Sequence, residues 1–378
     1  MLREQTHQRY LSLDVLRGMT IALMVVVNTP GNLETVFEPF RHATWHGFTI
    51  TDLVFPTFLF VVGNAMSFSM RKLEKEPNKV ILQKILKRTS MIFIIGLLLN
   101  MFPFIMRTTE GTLSIIDFTS VRIMGVLQRI ALAYGIAALI IHYLKIKGAI
   151  IFGVAALVVY WIILYFGGDH PDPYSLENNA ALKFDLLIFP QENLFQGFGI
   201  PFDPEGLLST IPSIVNVIAG YLTGLVIISH NKRIGNMVAK FLISGSILIV
   251  LALLWDLIFP INKPIWTSSY VLYATGLDLF VLSGLLLIID FGGYKNWTYF
   301  FEVFGKNPLI LYILSGVLLK IMLVIYINGL SLKDWLYQNL FLSWAEDHIA
   351  SLLFALIFML LIWIIGYFMD RNRIYIKV

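Results

Sequence analysis

Cysteine is missing from all 378 residues, which excludes thiolate metal sites, thiol catalysis and disulfides. Charge is scarce: 14% of the residues are Asp, Glu, Lys or Arg and 57% are hydrophobic, where an ordinary soluble chain carries about 25% charged and about 45 to 50% apolar residues. A soluble globular enzyme is excluded by that ratio. The formal net charge is only +4, and the Lys and Arg residues sit between apolar runs rather than in one basic stripe with interleaved aromatics. Nucleic acid is therefore not an expected partner. Linker-like Ser or Pro tracts, low-complexity segments and visible internal repeats are all lacking, and with them the repeat signal of many transporters. A single domain over residues 1–378 is expected.

What the chain does have is apolar runs of about 18 to 25 residues, each long enough to cross a hydrocarbon core of about 30 Å as a helix. The expected fold is an all-α polytopic membrane bundle. Hydropathy places ten spans, near residues 11–30, 51–70, 89–106, 122–144, 148–166, 208–228, 237–259, 269–290, 303–327 and 349–369. Arg3 and Arg9 precede the first span, but no small-residue cleavage site follows it, so it is expected to stay in the mature protein. The loop from Arg71 to Arg88 holds seven Lys or Arg residues, whereas the long segment 167–207 holds only Lys183. By the positive-inside rule the first is cytoplasmic and the second extracytoplasmic. Lys145 and Lys147, then Lys232, Arg233 and Lys240, then Arg371, Arg373 and Lys377 also fall inside, so both termini are cytoplasmic. Segment 28–51 then faces outward, the periplasm if the membrane is a bacterial inner membrane. Trp45, Trp161, Trp266 and Trp344 fall near outer span ends, as interfacial aromatics do.

Polar groups at membrane depth are costly and mark function or pairing. Asp14 and Arg17, three apart, read as an anchoring ion pair. The densest constellation is Asn28 to Asn32, then Arg41 to Gly47, then Asp52. A histidine near a carboxylate is the minimal general-base unit, because imidazole titrates near neutrality and the carboxylate fixes its tautomer. His42 and His46 stand four apart, but no third ligand accompanies them and no metal is expected. Arg122, Gln128 and Arg129 fall on roughly one face of the expected fourth span. They either grip an anionic ligand or pair with a buried acid such as Asp14 or Asp278. Asp203 and Glu205, and Asn262, Lys263 and Trp266, sit in outer turns of the kind that bind sugars or merely turn. Lys306 and Asn307 open the ninth span, where a helix N-terminus holds phosphate or is simply capped.

In this order the segments RYLSLDVLRG, VNTPG, HATWHGFTITDLVFPTFLFVVG, RIMGVLQRIALAY, DPEGLLSTIPSI, INKPIWTSSYV and FGKNPLILY resemble the heparan-alpha-glucosaminide N-acetyltransferase family of membrane acyltransferases, over nearly the whole chain. HATWHG followed by TDLVFP and the distant INKPIWTSSY are the specific parts. The resemblance implies transfer of an acetyl group from cytoplasmic acetyl-CoA to the amine of a glucosamine or glucosamine-terminated saccharide on the far side. It implies His42 as the active-site histidine, with Asn28 and Asp52 at the family's asparagine and aspartate positions. His46 stands where the animal enzyme has Asn. A homodimer is implied by the resemblance alone.

On this reading His42 is a general base in a ternary complex or a carrier of the acetyl group. Asn28 is an oxyanion donor, Arg122, Gln128, Arg129, Lys306 and Asn307 are the candidates for holding the donor, and Trp45, His46, Asp203, Glu205, Asn262, Lys263 and Trp266 are those for the acceptor. A saccharide transporter or flippase, and an O-acyltransferase acting on a cell-envelope glycan, use the same polar residues differently.

Overall fold

The computed structural model describes residues 10–107, 112–229 and 234–376. Arg3 and Arg9, ahead of the first expected span, and Lys232, Arg233 and Lys377, used above for orientation, lie outside the described residues. Twelve helices follow one another within them: α1 (Leu11–Asn28), α2 (Ile50–Leu73), α3 (Asn78–Met101), α4 (Val126–Gly167), α5 (Ala180–Ile188), α6 (Thr210–Ser229), α7 (Ile234–Asp256), α8 (Ser268–Leu285), α9 (Thr298–Lys306), α10 (Pro308–Val324), α11 (Leu332–Tyr337) and α12 (Asp347–Arg371). Two small antiparallel hairpins interrupt the all-α pattern, β1 (Ile105–Arg107) with β2 (Leu113–Ile115) and β3 (Tyr326–Ile327) with β4 (Leu330–Ser331). The second turns on Asn328 and Gly329, both at positive φ, as a tight two-residue hairpin requires.

Seven of the described helices are long and apolar enough to cross a membrane, or eight if α9 and α10 together form one span. Three differences from the ten expected spans explain the count. Lys84, Lys87 and Arg88 lie within α3 and spoil its apolar length. The spans expected at 122–144 and 148–166 are two helices joined end to end in the 42-residue α4, across a kink at Lys145 where φ is 57° and ψ is −170°. The span expected at 303–327 is two helices meeting at 84°. Pro308 causes that bend: its ring lacks an N–H and forces Asn307 out of the helical region, to φ −131° and ψ 50°. Ile243, Ile247, Val250 and Leu254 of α7 remain exposed, as lipid-facing side chains do. The protein is an integral, multi-pass membrane protein.

Small residues set the tightest packing, because helices in lipid associate by close approach rather than by a hydrophobic drive. A Cβ on Gly63 of α2 would lie 1.9 Å from the Val217 carbonyl oxygen of α6, and one on Gly220 would lie 1.8 Å from that of Phe60. The two backbones therefore touch.

The ends of the bundle differ. Asn28 and Asp52, at the end of α1 and the start of α2, line one cavity, so α1 and α2 run antiparallel and Arg17 and Arg71 lie toward the other end. There, Leu73, Glu74 and Asn78 share a second cavity with Lys145 and Lys147, which brings two of the basic clusters together. Segment 167–207 is not an open loop. It folds over the Asn28 end around α5, with Tyr174, Leu182 and Phe202 packed on Tyr160, Leu164, Phe259 and Ile265.

Candidate active site

The segment between α1 and α2 is held at both ends and in the middle. The Gly31 amide donates to the Ser351 carbonyl at 3.2 Å, and Trp45 Nε1 donates to the Tyr174 carbonyl at 2.9 Å. The Gly47 amide reaches the Ile261 carbonyl at 2.8 Å, with φ at 114°, a conformation glycine adopts without steric cost. Helix α2 then opens on Asp52, whose Oδ2 accepts from the Thr49 amide at 3.1 Å and the Thr49 hydroxyl at 3.0 Å. This is the reciprocal half of a capping box. The same oxygen accepts from the Ala43 amide at 3.1 Å. Three donors on Oδ2 fix the carboxylate and turn Oδ1 to His42, whose Nδ1 is 2.6 Å away. An ionised carboxylate only accepts, so Nδ1 carries the hydrogen and Nε2 presents its lone pair. Asp52 is 1% exposed while the His42 side chain is 50% exposed. The arrangement is a buried orienting acid beneath an accessible base.

His42 and Asp52 line a cavity of about 260 Å³ whose other polar walls are Asn28, Thr51, Arg122, Glu205 and Lys263. The sequence is folded so that four further expected groups meet there: Asn28 from α1, Arg122 from the stretch before α4, Glu205 from the segment that folds over the Asn28 end as a cap, and Lys263 from the turn before α8. Arg122 is not helical. It precedes α4 in an extended stretch held by Asn100 Nδ2 on the Arg122 and Met124 carbonyls, so the expected common helical face with Gln128 and Arg129 is lost. Its fork closes on Asp203 at 2.8 and 2.6 Å and on Glu205 at 2.5 Å. Of the two readings of Arg122, the structure displays acid pairing, with Asp203 and Glu205 in place of Asp14 or Asp278. Burial alone would lower the Arg122 guanidinium, but these two carboxylates hold it above its ordinary value. Burial would raise Glu205, and Arg122, Arg129 and Lys263 hold it below the usual carboxylate range. Lys263 is lowered by burial, against the opposing pull of Asp52 and Glu205.

The remaining candidates lie elsewhere. Trp266 is not interfacial: it is fully buried, at φ 52°, with Nε1 on Asn216 Oδ1 at 3.0 Å. Asn262 is also fully buried, bonding the Ile265 amide at 2.9 Å and facing His46 Nδ1 at 3.3 Å. His46 is lowered by burial and, like Trp45, lines no part of this cavity. Gln128 and Arg129 are buried. Arg129 bonds the Gly206 carbonyl and Ser209 through Nη2 and lies over the Trp266 ring at 4.8 Å. Lys306 and Asn307 belong to the opposite end. Lys306 bonds both oxygens of Asp370 at 2.9 and 2.8 Å, and Asn307 bonds the Ile374 carbonyl and the Ile376 amide. Arg17, which bonds Asp14 as expected and also the Gly305 carbonyl, lies there too.

Several site residues had escaped the sequence reading. Thr49 was legible, since T-x-x-D ahead of an apolar run marks a helix start. Phe195 and Phe198, which wall the cavity, stand in an aromatic and glycine-rich stretch with no helical or strand period. Asp185 accepts from the Leu207 amide at 2.9 Å and so shapes the turn carrying Glu205. Burial pushes its carboxyl up to about 7.

Comparison with known proteins points one way. The family model described as "Heparan-alpha-glucosaminide N-acetyltransferase, catalytic" matches residues 9–252. The human protein named heparan-alpha-glucosaminide N-acetyltransferase (Homo sapiens) is 27% identical over 357 residues, covering 81% of this chain and 52% of its own length. Its mouse counterpart (Mus musculus) is 27% identical over 368 residues, covering 84% and 54%. The chain thus spans about half the length of the curated relatives it matches.

Proposed function

The chain belongs to the heparan-alpha-glucosaminide N-acetyltransferase family, and from that premise we propose that it is a transmembrane N-acetyltransferase. It moves an acetyl group from cytoplasmic acetyl-CoA to the amine of a glucosamine or glucosamine-terminated saccharide on the extracytoplasmic side, across a bacterial inner membrane. The observation that carries this reading is the His42–Asp52 pair at 2.6 Å in a cavity with Asn28 on its wall.

The chemistry follows from the groups present. His42 Nε2 takes the proton from the attacking nitrogen while Asp52, fixed by Thr49 and Ala43, stabilises the imidazolium. The C–N bond forms, the C–S bond breaks, and the proton on His42 passes to the leaving sulfur. The additional proton of an ammonium acceptor goes to solvent before attack. The side-chain amide of Asn28 donates to the oxygen on which negative charge develops. A direct ternary complex is favoured over an acetyl-His42 intermediate because donor and acceptor can meet in one cavity. At about 260 Å³ it takes one sugar ring and an acyl thioester end rather than a whole CoA, since pockets for drug-sized ligands run from about 300 Å³ upward. Glu205 faces the acceptor's cationic or hydroxyl groups, with Asp203 holding Arg122 beside it. The donor's phosphates belong at the opposite end, near Lys306 and Asn307. That end also holds the clusters from Arg71 to Arg88 and at Lys145 and Lys147, and the positive-inside rule supports reading it as the cytoplasmic end.

The test uses protein purified in detergent, acetyl-CoA, and a panel of glucosamine, glucosamine-terminated oligosaccharides and non-amino sugars, with free CoA followed and the product identified by mass. Amine-dependent CoA release forming an N-linked acetyl group, and lost in His42→Ala, is the expected result. Release with non-amino sugars and an O-linked product would replace this reading with O-acylation. Saccharide movement across a vesicle membrane without CoA release would replace it with transport.

A further inference from the structure

His42 has two charged neighbours, and the base role accounts for only one of them. Lys263 Nζ stands 3.2 Å from Nδ1 and 3.2 Å from Nε2, and 4.0 Å from Asp52 Oδ1. Equal distances to the two nitrogens put the ammonium over the face of the ring, because in the ring plane the carbon between those nitrogens would stand in its way. An ammonium hydrogen bonds along an in-plane lone pair. Nδ1 has no such lone pair, since its hydrogen is turned to Asp52 at 2.6 Å. Nε2 carries the remaining lone pair, with a positive charge standing against the ring.

We propose that Lys263 is a positioning residue for the proton on His42: its ammonium holds the ring neutral in the resting site and, once the ring is protonated, drives that proton on to the leaving sulfur. This rests on the reading of His42 as general base. Like charges at this separation disfavour each other, so each proton gained by His42 is opposed by Lys263 and supported by Asp52. The base is then neutral when the acceptor arrives and a good acid when the thiolate leaves.

The other charged groups around the ring do not supply this. Asn28 of α1 is uncharged. Asp52 of α2 acts in the opposite sense. Arg122 and Glu205 on the far wall are bonded to each other, and Arg122 is met by Asp203 as well. Arg41, beside His42 in the loop, bonds the Glu34 carbonyl, and Lys263 is the cation that stands against the ring. Its position is built: the Trp266 amide bonds the Lys263 carbonyl at 3.0 Å and the Thr267 amide bonds the Asn262 carbonyl at 3.0 Å. Asn262 Oδ1 caps the Ile265 amide at 2.9 Å, and the Gly47–Ile261 bond ties this turn to the loop carrying His42.

The experiment is an NMR titration of isotope-labelled histidine in the ligand-free full-length protein in micelles, with His42 assigned through His42→Gln. In Lys263→Met the His42 midpoint is expected to rise by about one pH unit or more, while Lys263→Arg stays near the parent protein. The acid limb of kcat/KM with acetyl-CoA and glucosamine should move alkaline by the same amount. Lys263→Gln replaces the Met variant if that one does not fold. A His42 midpoint that is unmoved or lowered overturns the proposal, whatever happens to turnover. The titration needs no catalysis, so absence of acetyl transfer by the parent protein would overturn the functional reading separately.

Discussion

Lys263 and Lys306 both face an aspartate, and they do opposite things. Lys306 meets both oxygens of Asp370 at 2.9 and 2.8 Å, and Asp370 also accepts from the Tyr299 and Tyr375 hydroxyls. Its charge stitches α9 to the end of α12, at the end proposed for the donor's phosphates. Lys263 is 4.0 Å from Asp52, whose Oδ2 already serves three donors and whose Oδ1 serves His42. An ammonium with a carboxylate of its own holds chain to chain. One whose acid is already engaged is left to act on the next titratable group.

The largest effect that would break this contrast lies at His42. His42→Ala should lower acetyl transfer by about 10²- to 10⁴-fold, read as amine-dependent CoA release, with the protein still folded. Retention of the parent rate would remove the base and the role of Lys263 with it. Asp52→Asn should follow with a loss of about 10²-fold, because it removes the acid that fixes the tautomer. Equal rates for Asp52→Asn and the parent would mean that Lys263, not Asp52, is the partner that matters.

At the other end, Lys306→Met should raise KM for acetyl-CoA by only a few fold and leave the pH profile of kcat/KM where it was. That is about what one screened phosphate contact is worth at roughly 1 kcal/mol. A shifted pH limb in Lys306→Met would erase the distinction between the two lysines. Asp185 offers a third case, a buried acid held by the Leu207 and Leu208 backbone amides, the first at 2.9 Å. Its folded value of about 7 lies above its ordinary 3.8, so the folded state retains a proton that the unfolded chain has lost. Its contribution to stability is therefore present in acid and lost as pH rises from about 4 to about 7. Asp185→Asn should flatten the fall of the apparent melting temperature across that window, and an unchanged slope would refute the assignment. The smallest effect belongs to Thr49→Ala, which removes one hydroxyl bond from Asp52 and should cost about 1 kcal/mol of stability, measured by denaturation, with a modest loss of turnover.

How much of this was legible in the chain depends on the kind of signal. The apolar runs announced the spanning helices because twenty apolar residues in a row have few other stable fates. The run from His42 to Asp52 was legible because its polar density stands between two such runs. The helical period assigned to Arg122, Gln128 and Arg129 failed at its first member. Asn100, from α3, holds the Arg122 segment extended, and nothing near Arg122 in the chain reports that. Trp266 was read as interfacial from its place beside a span end, yet Asn216 of α6 supplies its indole with a buried acceptor and draws it into the core.

Composition and local order determined that the protein is a membrane helical bundle, because hydropathy acts over a few turns of chain, and the family resemblance implied which histidine and carboxylate belong together. The tertiary structure decided the rest: that Glu205 and Arg122 neutralise each other on the cavity wall, that Arg129 is buried against Trp266, and that Lys263 stands over His42. Those partners are separated by 83, 137 and 221 positions, and only the closing of the cap and the α8 turn over the ends of α1 and α2 sets the distances on which their electrostatics depend.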